Sequence, residues 1–155
     1  MAAIVFNIAK GRVVEFYNRV ESNDPAASAL VLVPLETSGL ESDAVLKDKD
    51  DLAAVLSGPT NEQTTMGRKV LTDADLAALP APDDGNDRYQ VSLPSVVWTA
   101  ATGNQVAKIL VGYDPNAGGG TDSEIIPLTL MDAIATPDGT DLTLTTGVFF
   151  RATDP

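Results

Sequence analysis

The stretch of this chain whose residue types and spacing come nearest to a ligand loop is 114–125, Asp-Pro-Asn-Ala-Gly-Gly-Gly-Thr-Asp-Ser-Glu-Ile. Read against a calcium-binding loop, Asp114 and Asn116 fall at the first and third ligand positions. Gly119 falls at the sharp-turn glycine and Asp122 at the ninth position. The pattern then fails twice. Gly118 brings no side-chain oxygen to the fifth position, and Ile125 stands where a bidentate glutamate is required, with Glu124 one residue early. The segment therefore reads as a glycine-rich connection between strands, and no metal is expected. Nor can Gly118-Gly119-Gly120 be a phosphate loop, since no Lys-Ser or Lys-Thr follows it.

Acid–base chemistry fares no better. Paired carboxylates at Asp50/Asp51 and Asp83/Asp84 raise the question of glycoside hydrolysis, which needs two carboxyls facing each other across a cleft, one of them holding its proton. Neighbours in a helix-capping segment or a Pro-Gly loop face water and stay ionised. With no histidine and no cysteine, imidazole catalysis, thiol nucleophiles and thiolate metal sites are excluded by inventory. No catalytic or cofactor-binding residues are expected. Trp98, the single tryptophan, shares a strand face with Val96 and Ala100 and is expected in the core. Arg68 and Lys69, the one adjacent basic pair, read as surface charge.

The elements that would carry these residues are mostly strands. Runs rich in Val, Ile, Leu, Thr and aromatics occupy 89–93, 96–100, 107–113, 125–131, 142–145 and 148–151, separated by Gly, Pro, Asn and Asp. Residues 29–35 are apolar throughout and predict a strand buried on both faces. Residues 2–9 predict either a first strand or an arm, and 66–71 a further strand. Val13, Phe16, Tyr17 and Val20 at helical spacing predict a helix over 12–20, stopped by Pro25. A second helix is predicted over 48–56, capped by Asp48 or Asp50, and one short capped helical turn over 72–79, with Thr72–Asp75 leading into Leu76–Leu79. The Thr-Pro-Asp-Gly-Thr at 136–140 predicts a β-hairpin, and 80–87 an exposed loop. The expected fold is mainly β, an antiparallel β-sandwich or barrel with one or two short peripheral helices, in a single domain over 1–155 with a possible N-terminal arm at 1–9.

Composition narrows the function class. Ten Lys and Arg against 22 Asp and Glu give a net charge of -12, so neither a nucleic-acid groove nor an anionic membrane surface is an expected partner. No run approaches the ~18 apolar residues of a membrane helix, and the opening lacks the basic flank of a signal peptide. A soluble protein indifferent to redox compartment is expected.

Three stretches together, IVFNIAKGRVVEFYNRV, ALVLVPLETSGLESDAVLKDKDDLAAVL and YDPNAGGGTDSEIIPLTLMDAIATPDGTDLTLTTGVFFRA, resemble a group of small structural proteins encoded among the virion genes of tailed bacteriophages of actinobacteria and related hosts. The resemblance spans nearly the whole chain and contains no catalytic motif. It implies a non-enzymatic capsid decoration or stabilisation protein, made in the host cytoplasm and placed on the capsid surface of the virion. The implied partner is the major capsid protein, with homo-oligomers, trimers first, as the state of assembly. Ile4, Val5 and Phe6 at one end and Phe149 and Phe150 at the other are the candidate partner contacts. A tail-associated receptor- or carbohydrate-binding β module is the alternative, and would display aromatics on its loops. A hydrolase would need carboxylates converging in a pocket.

Overall fold

An apolar residue at every position from 29 to 35 requires a strand with something packed on both faces. The computed structural model, which describes residues 3–145 and 147–153, supplies both layers. Its strands in chain order are β1 (Ala3–Val5), β2 (Ala29–Glu36), β3 (Lys69–Leu71), β4 (Arg88–Ser92), β5 (Val96–Trp98), β6 (Val106–Asp114), β7 (Ile126–Ala135), β8 (Leu142–Leu144) and β9 (Val148–Thr153). The helices are α1 (Val13–Glu21), α2 (Asp43–Leu46) and α3 (Leu52–Leu56). One antiparallel sheet runs β1-β7-β6-β2-β3, while β4 with β9 and β5 with β8 form two antiparallel ribbons. The fold is mainly β, as expected.

Alternation along β2 divides the core. Leu30 and Leu32 join Ile109, Val111 and Tyr113 of β6 on one face, against α1 and the two ribbons with Val91, Trp98, Leu144 and Phe149. Val31, Val33 and Leu35 join Leu110 and Leu130 on the other, under Phe6, Leu46 of α2 and Leu52 and Val55 of α3. Gly112 lets the second layer close. A Cβ there would stand 2.7 Å from the Cγ2 of Ile125, which enters this core as the glycine-rich loop rejoins the sheet.

Helix α1 follows its periodicity. Val13, Phe16, Tyr17 and Val20 are buried, while Glu15 on the outer side is held between Arg12 and Arg19. The chain leaves it through Asn23, whose positive φ of 52° brings its N–H to the Val20 carbonyl and that of Asp24 to Arg19. Asparagine tolerates this left-handed conformation better than most residues.

Five expectations are corrected. The predicted helix 48–56 begins at Leu52, because Asp51, in extended backbone, accepts from the Ala54 N–H at 2.6 Å and is therefore the cap instead of Asp48 or Asp50. The fold has a further helix, α2, so α-helices number three among the described residues, beside a single 3-10 turn at Asn7–Ala9. Residues 136–140 do not close a hairpin. β7 pairs with β1 and β6, whereas β8 pairs with β5, so the Asp138-Gly139 turn instead carries the chain from the sheet into the ribbon layer. There Gly139 N–H donates to the Ala101 carbonyl and Ala101 N–H to Thr140. Ala100 does not share the buried side of Trp98: β5 ends at Trp98, and Ala100 is exposed with φ of 49°. Of the capped helical turn predicted over 72–79 only the opening forms: the Asp75 carboxylate accepts from Thr72 N–H and Oγ1 in a turn at 73–75, and Leu76–Leu79 are not helical.

Candidate functional site

The loop at 114–125 does not gather its oxygens. Asp114 is buried and its Oδ1 accepts from the Asn116 N–H at 2.9 Å, an Asx turn. Glu124 turns back onto Thr121, accepting from its N–H at 2.8 Å and its hydroxyl at 3.2 Å. Asp122 is engaged elsewhere, by Arg68. Among the described residues no group of three or more acidic side chains is placed to hold a metal ion. The loop is instead a fastening. Its Asp122 and Ile125 carbonyls accept from the first N–H groups of α3, Ala53 and Leu52, which a helix cannot satisfy internally.

Asp122 belongs to the strongest electrostatic feature of the fold, which sequence reading assigned to plain surface. The Arg68 guanidinium lies between two carboxylates. Its Nε and Nη2 donate to Glu62 at 2.8 and 2.6 Å, and its Nη1 and Nη2 to Asp122 at 2.6 and 3.0 Å. A planar fork suits this double bidentate geometry in a way lysine cannot. Glu62 first and Asp122 second raise the Arg68 pKa well above its usual value, and Arg68 holds the Asp122 carboxyl below its own. Asp122 lies 54 residues from Arg68, so no spacing rule could have paired them.

Gln63 is the other residue that sequence reading passed over. It is 1% exposed and fully bonded. Its Nε2 donates to the Asn104 and Thr102 carbonyls at 3.0 and 3.4 Å, and its Oε1 accepts from the N–H groups of Thr65 and Met66 at 2.8 and 3.2 Å. The loop that carries it also receives Trp98, whose Nε1 donates to the Gly67 carbonyl at 2.9 Å. Trp98 is thus a core residue with its polar edge satisfied. Residues 60–68 form a seam joining the helical side of the sheet to the ribbon side.

The carboxylate pairs resolve into separate structural tasks. Asp51 caps α3, while Asp50 is exposed. Asp83 accepts from Asn86 and from Arg88, which together lower its pKa, and Asp84 is exposed beside it. The candidate partner contacts divide as well. Phe6 and Phe149 are buried in the chain's own two cores, and Ile4, Val5 and Phe150 are half-buried against them. Residues 3–5 form an edge strand of the chain's own sheet, paired Ala3 to Met131 and Val5 to Thr129, which is the first-strand reading and not a free arm. All eight aromatic side chains are buried or half-buried, and none is exposed on a loop. Exposed large apolar residues are scattered: Ile8, Val45, Val70, Val97 and, at 79%, Ile134. No helix among the described residues is long and apolar enough to cross a membrane. No protein-family model, curated protein or solved structure matches the chain.

Proposed function

We propose that the protein is a non-enzymatic structural protein of a tailed-bacteriophage virion, a decoration or stabilisation protein that docks on the outer surface of the major capsid lattice as a homo-oligomer, with trimers favoured. The observation that carries this reading is the use the fold makes of its reactive groups. Asp51 caps a helix, Asp83 and Asp122 neutralise arginines, and Asp114 closes a turn. Each carboxyl whose pKa departs from its usual value is lowered, the opposite of what a proton-donating acid requires. The three stretches that resemble the virion proteins are the framework of the fold: β1 to α1, β2 to α3, and the end of β6 through β9. An acidic outer surface keeps free copies apart. The alternative, a sugar-binding tail module, lacks its usual stacking platforms, since no aromatic ring is exposed on a loop.

The test is electron cryomicroscopy of the intact particle, paired with co-sedimentation of the purified protein and heads that lack it. Density of this fold on the capsid lattice, with saturable co-sedimentation, is expected. Density on the tail would replace this reading with the tail module, and absence from the particle would end both.

A further inference from the structure

The turn at 83–88 is tied at both ends. Asp83 N–H donates to the Arg88 carbonyl at 3.0 Å, Arg88 N–H returns to Asp83 at 3.3 Å, and Asn86 N–H reaches Asp83 at 3.1 Å. The Asp83 carboxylate accepts from Arg88 Nε at 2.7 Å, so the arginine charge is already matched within the turn. Asp84 and Asp87 are exposed and enter no hydrogen bond or ion pair. Asp87 sits at φ of 46°, a left-handed position that only a few residue types hold without strain, which fixes where its carboxylate leaves the backbone. Between this turn and the end of the β4–β9 ribbon lies an open groove of about 570 Å³, lined by Pro82, Tyr89 and Ala152 and by the charged residues Asp84, Asp87 and Arg88, the last already paired with Asp83.

We propose that this groove is a docking site for a basic segment of a partner protein, an Arg or Lys stem lying on Tyr89 and Pro82 and its charged head meeting Asp84 and Asp87. The chemistry suits an amphipathic cation: apolar and aromatic surface for the stem, uncompensated carboxylates for the head. The turn is held by its own bonds before any partner arrives, so little ordering cost falls on binding. A second copy of this chain is the poorer occupant. Two bodies of charge -12 repel, and six of the ten cations (Arg12, Arg19, Lys49, Arg68, Arg88 and Lys108) are already in ion pairs. The proposal defines its partner by charge alone and stands apart from the capsid reading.

The experiment is an amide NMR titration of the full chain with the blocked pentapeptide acetyl-Ala-Arg-Tyr-Arg-Ala-amide, with its Glu-for-Arg counterpart and with spermidine. Saturable shifts confined to 82–89 and 152–153 are expected for the arginine peptide and absent for the glutamate peptide. The double variant Asp84→Asn/Asp87→Asn keeps the turn, since asparagine accepts the left-handed φ, and should weaken binding about three- to tenfold. A variant of equal charge elsewhere, Glu21→Gln/Asp73→Asn, should leave binding unchanged. Equal weakening in both variants would reduce the effect to general acidity and overturn the proposal. So would spermidine binding as tightly at the same resonances, or no saturable shift at all.

Discussion

The two faces of the five-stranded sheet are buried by different means. On one, α2 and α3 cover a compact cluster whose rim is closed by ion pairs, Arg68 with Glu62 and Asp122, and Lys108 with Asp43 and Asp132. On the other, α1 and the two ribbons enclose the larger cluster, which holds Trp98 and most of the buried aromatics. That side also carries the buried polar side-chain atoms left without a partner among the described residues, Gln90 Oε1 and Thr129 Oγ1. A small cluster needs a sealed edge, because short helices bury little apolar area and leave backbone groups to satisfy. A large cluster tolerates an unmade bond, since its apolar contribution outweighs it. The faces nevertheless share β2, β6 and β7, which makes them one cooperative unit.

The largest expected effects come from removing the main ring on each side. Phe6→Ala, on the helical face, should cost about 3–5 kcal/mol, against a total stability on the order of 5–15 kcal/mol. Trp98→Ala should cost more, because it also strands the Gly67 carbonyl that its indole N–H serves at 2.9 Å. In Phe6→Ala, urea unfolding followed by Trp98 fluorescence and by far-ultraviolet circular dichroism should give one coincident transition. Separate transitions would show that the helical face melts alone and would break the cooperative picture.

Next in size is the seam. Gly103 has φ of 114°, outside the range of other residues, and a Cβ there would stand 2.0 Å from Gln63 Nε2. Gly103→Ala should therefore displace the amide from the Asn104 and Thr102 carbonyls and cost at least about 1–3 kcal/mol. Hydrogen exchange should accelerate at Thr65 and Met66, whose N–H groups Gln63 accepts. Unchanged protection there would mean that the loop is held by Trp98 and Arg68 without Gln63.

Periodicity made much of this fold legible. The spacing of Val13, Phe16, Tyr17 and Val20 gave α1 and its buried side, and the unbroken apolar run at 29–35 gave a strand covered twice. What failed was pairing. Asp138-Gly139 has the local chemistry of a hairpin turn, yet whether its flanking strands pair is decided by competition with β6 for β7 and with β5 for β8, contacts far away in sequence. The same holds for the polar seam. Arg68 and Gln63 are ordinary residues in an ordinary loop, and their roles arise from Asp122, Thr102 and Asn104, which the fold brings to them.

The Arg68 clasp gives a pH-dependent prediction. Arg68 depresses the Asp122 pKa in the fold, so the stabilisation is complete above the ordinary aspartate value of about 3.9 and is lost as pH falls below it through the depressed value. The Asp122 side chain is 38% exposed, so solvent screening limits the effect. Asp122→Asn should cost no more than about 1 kcal/mol. Melting curves of the two proteins should differ by a constant amount from neutral pH down to the aspartate range and converge in stronger acid. A difference that persists there would assign the cost to packing and not to the ion pair.

The smallest effect tests the ribbon side, and it runs the other way. Thr129 is fully buried on β7, opposite Val5 on one neighbour and Val111 on the other. Cross-strand partners share a face, so its side chain enters the core of α1 and the ribbons, where its hydroxyl finds no partner. Valine has the same branched shape and β preference without the oxygen, so Thr129→Val removes a desolvated polar group while leaving packing and strand conformation in place. Stability should rise by about 0.5–1 kcal/mol, read as a higher urea midpoint at unchanged slope. A fall of similar size would mean that Oγ1 is bonded in solution, to a water or to the neighbouring backbone. The ribbon side would then keep Gln90 Oε1 alone without a partner, and the contrast between the two faces would rest mainly on size.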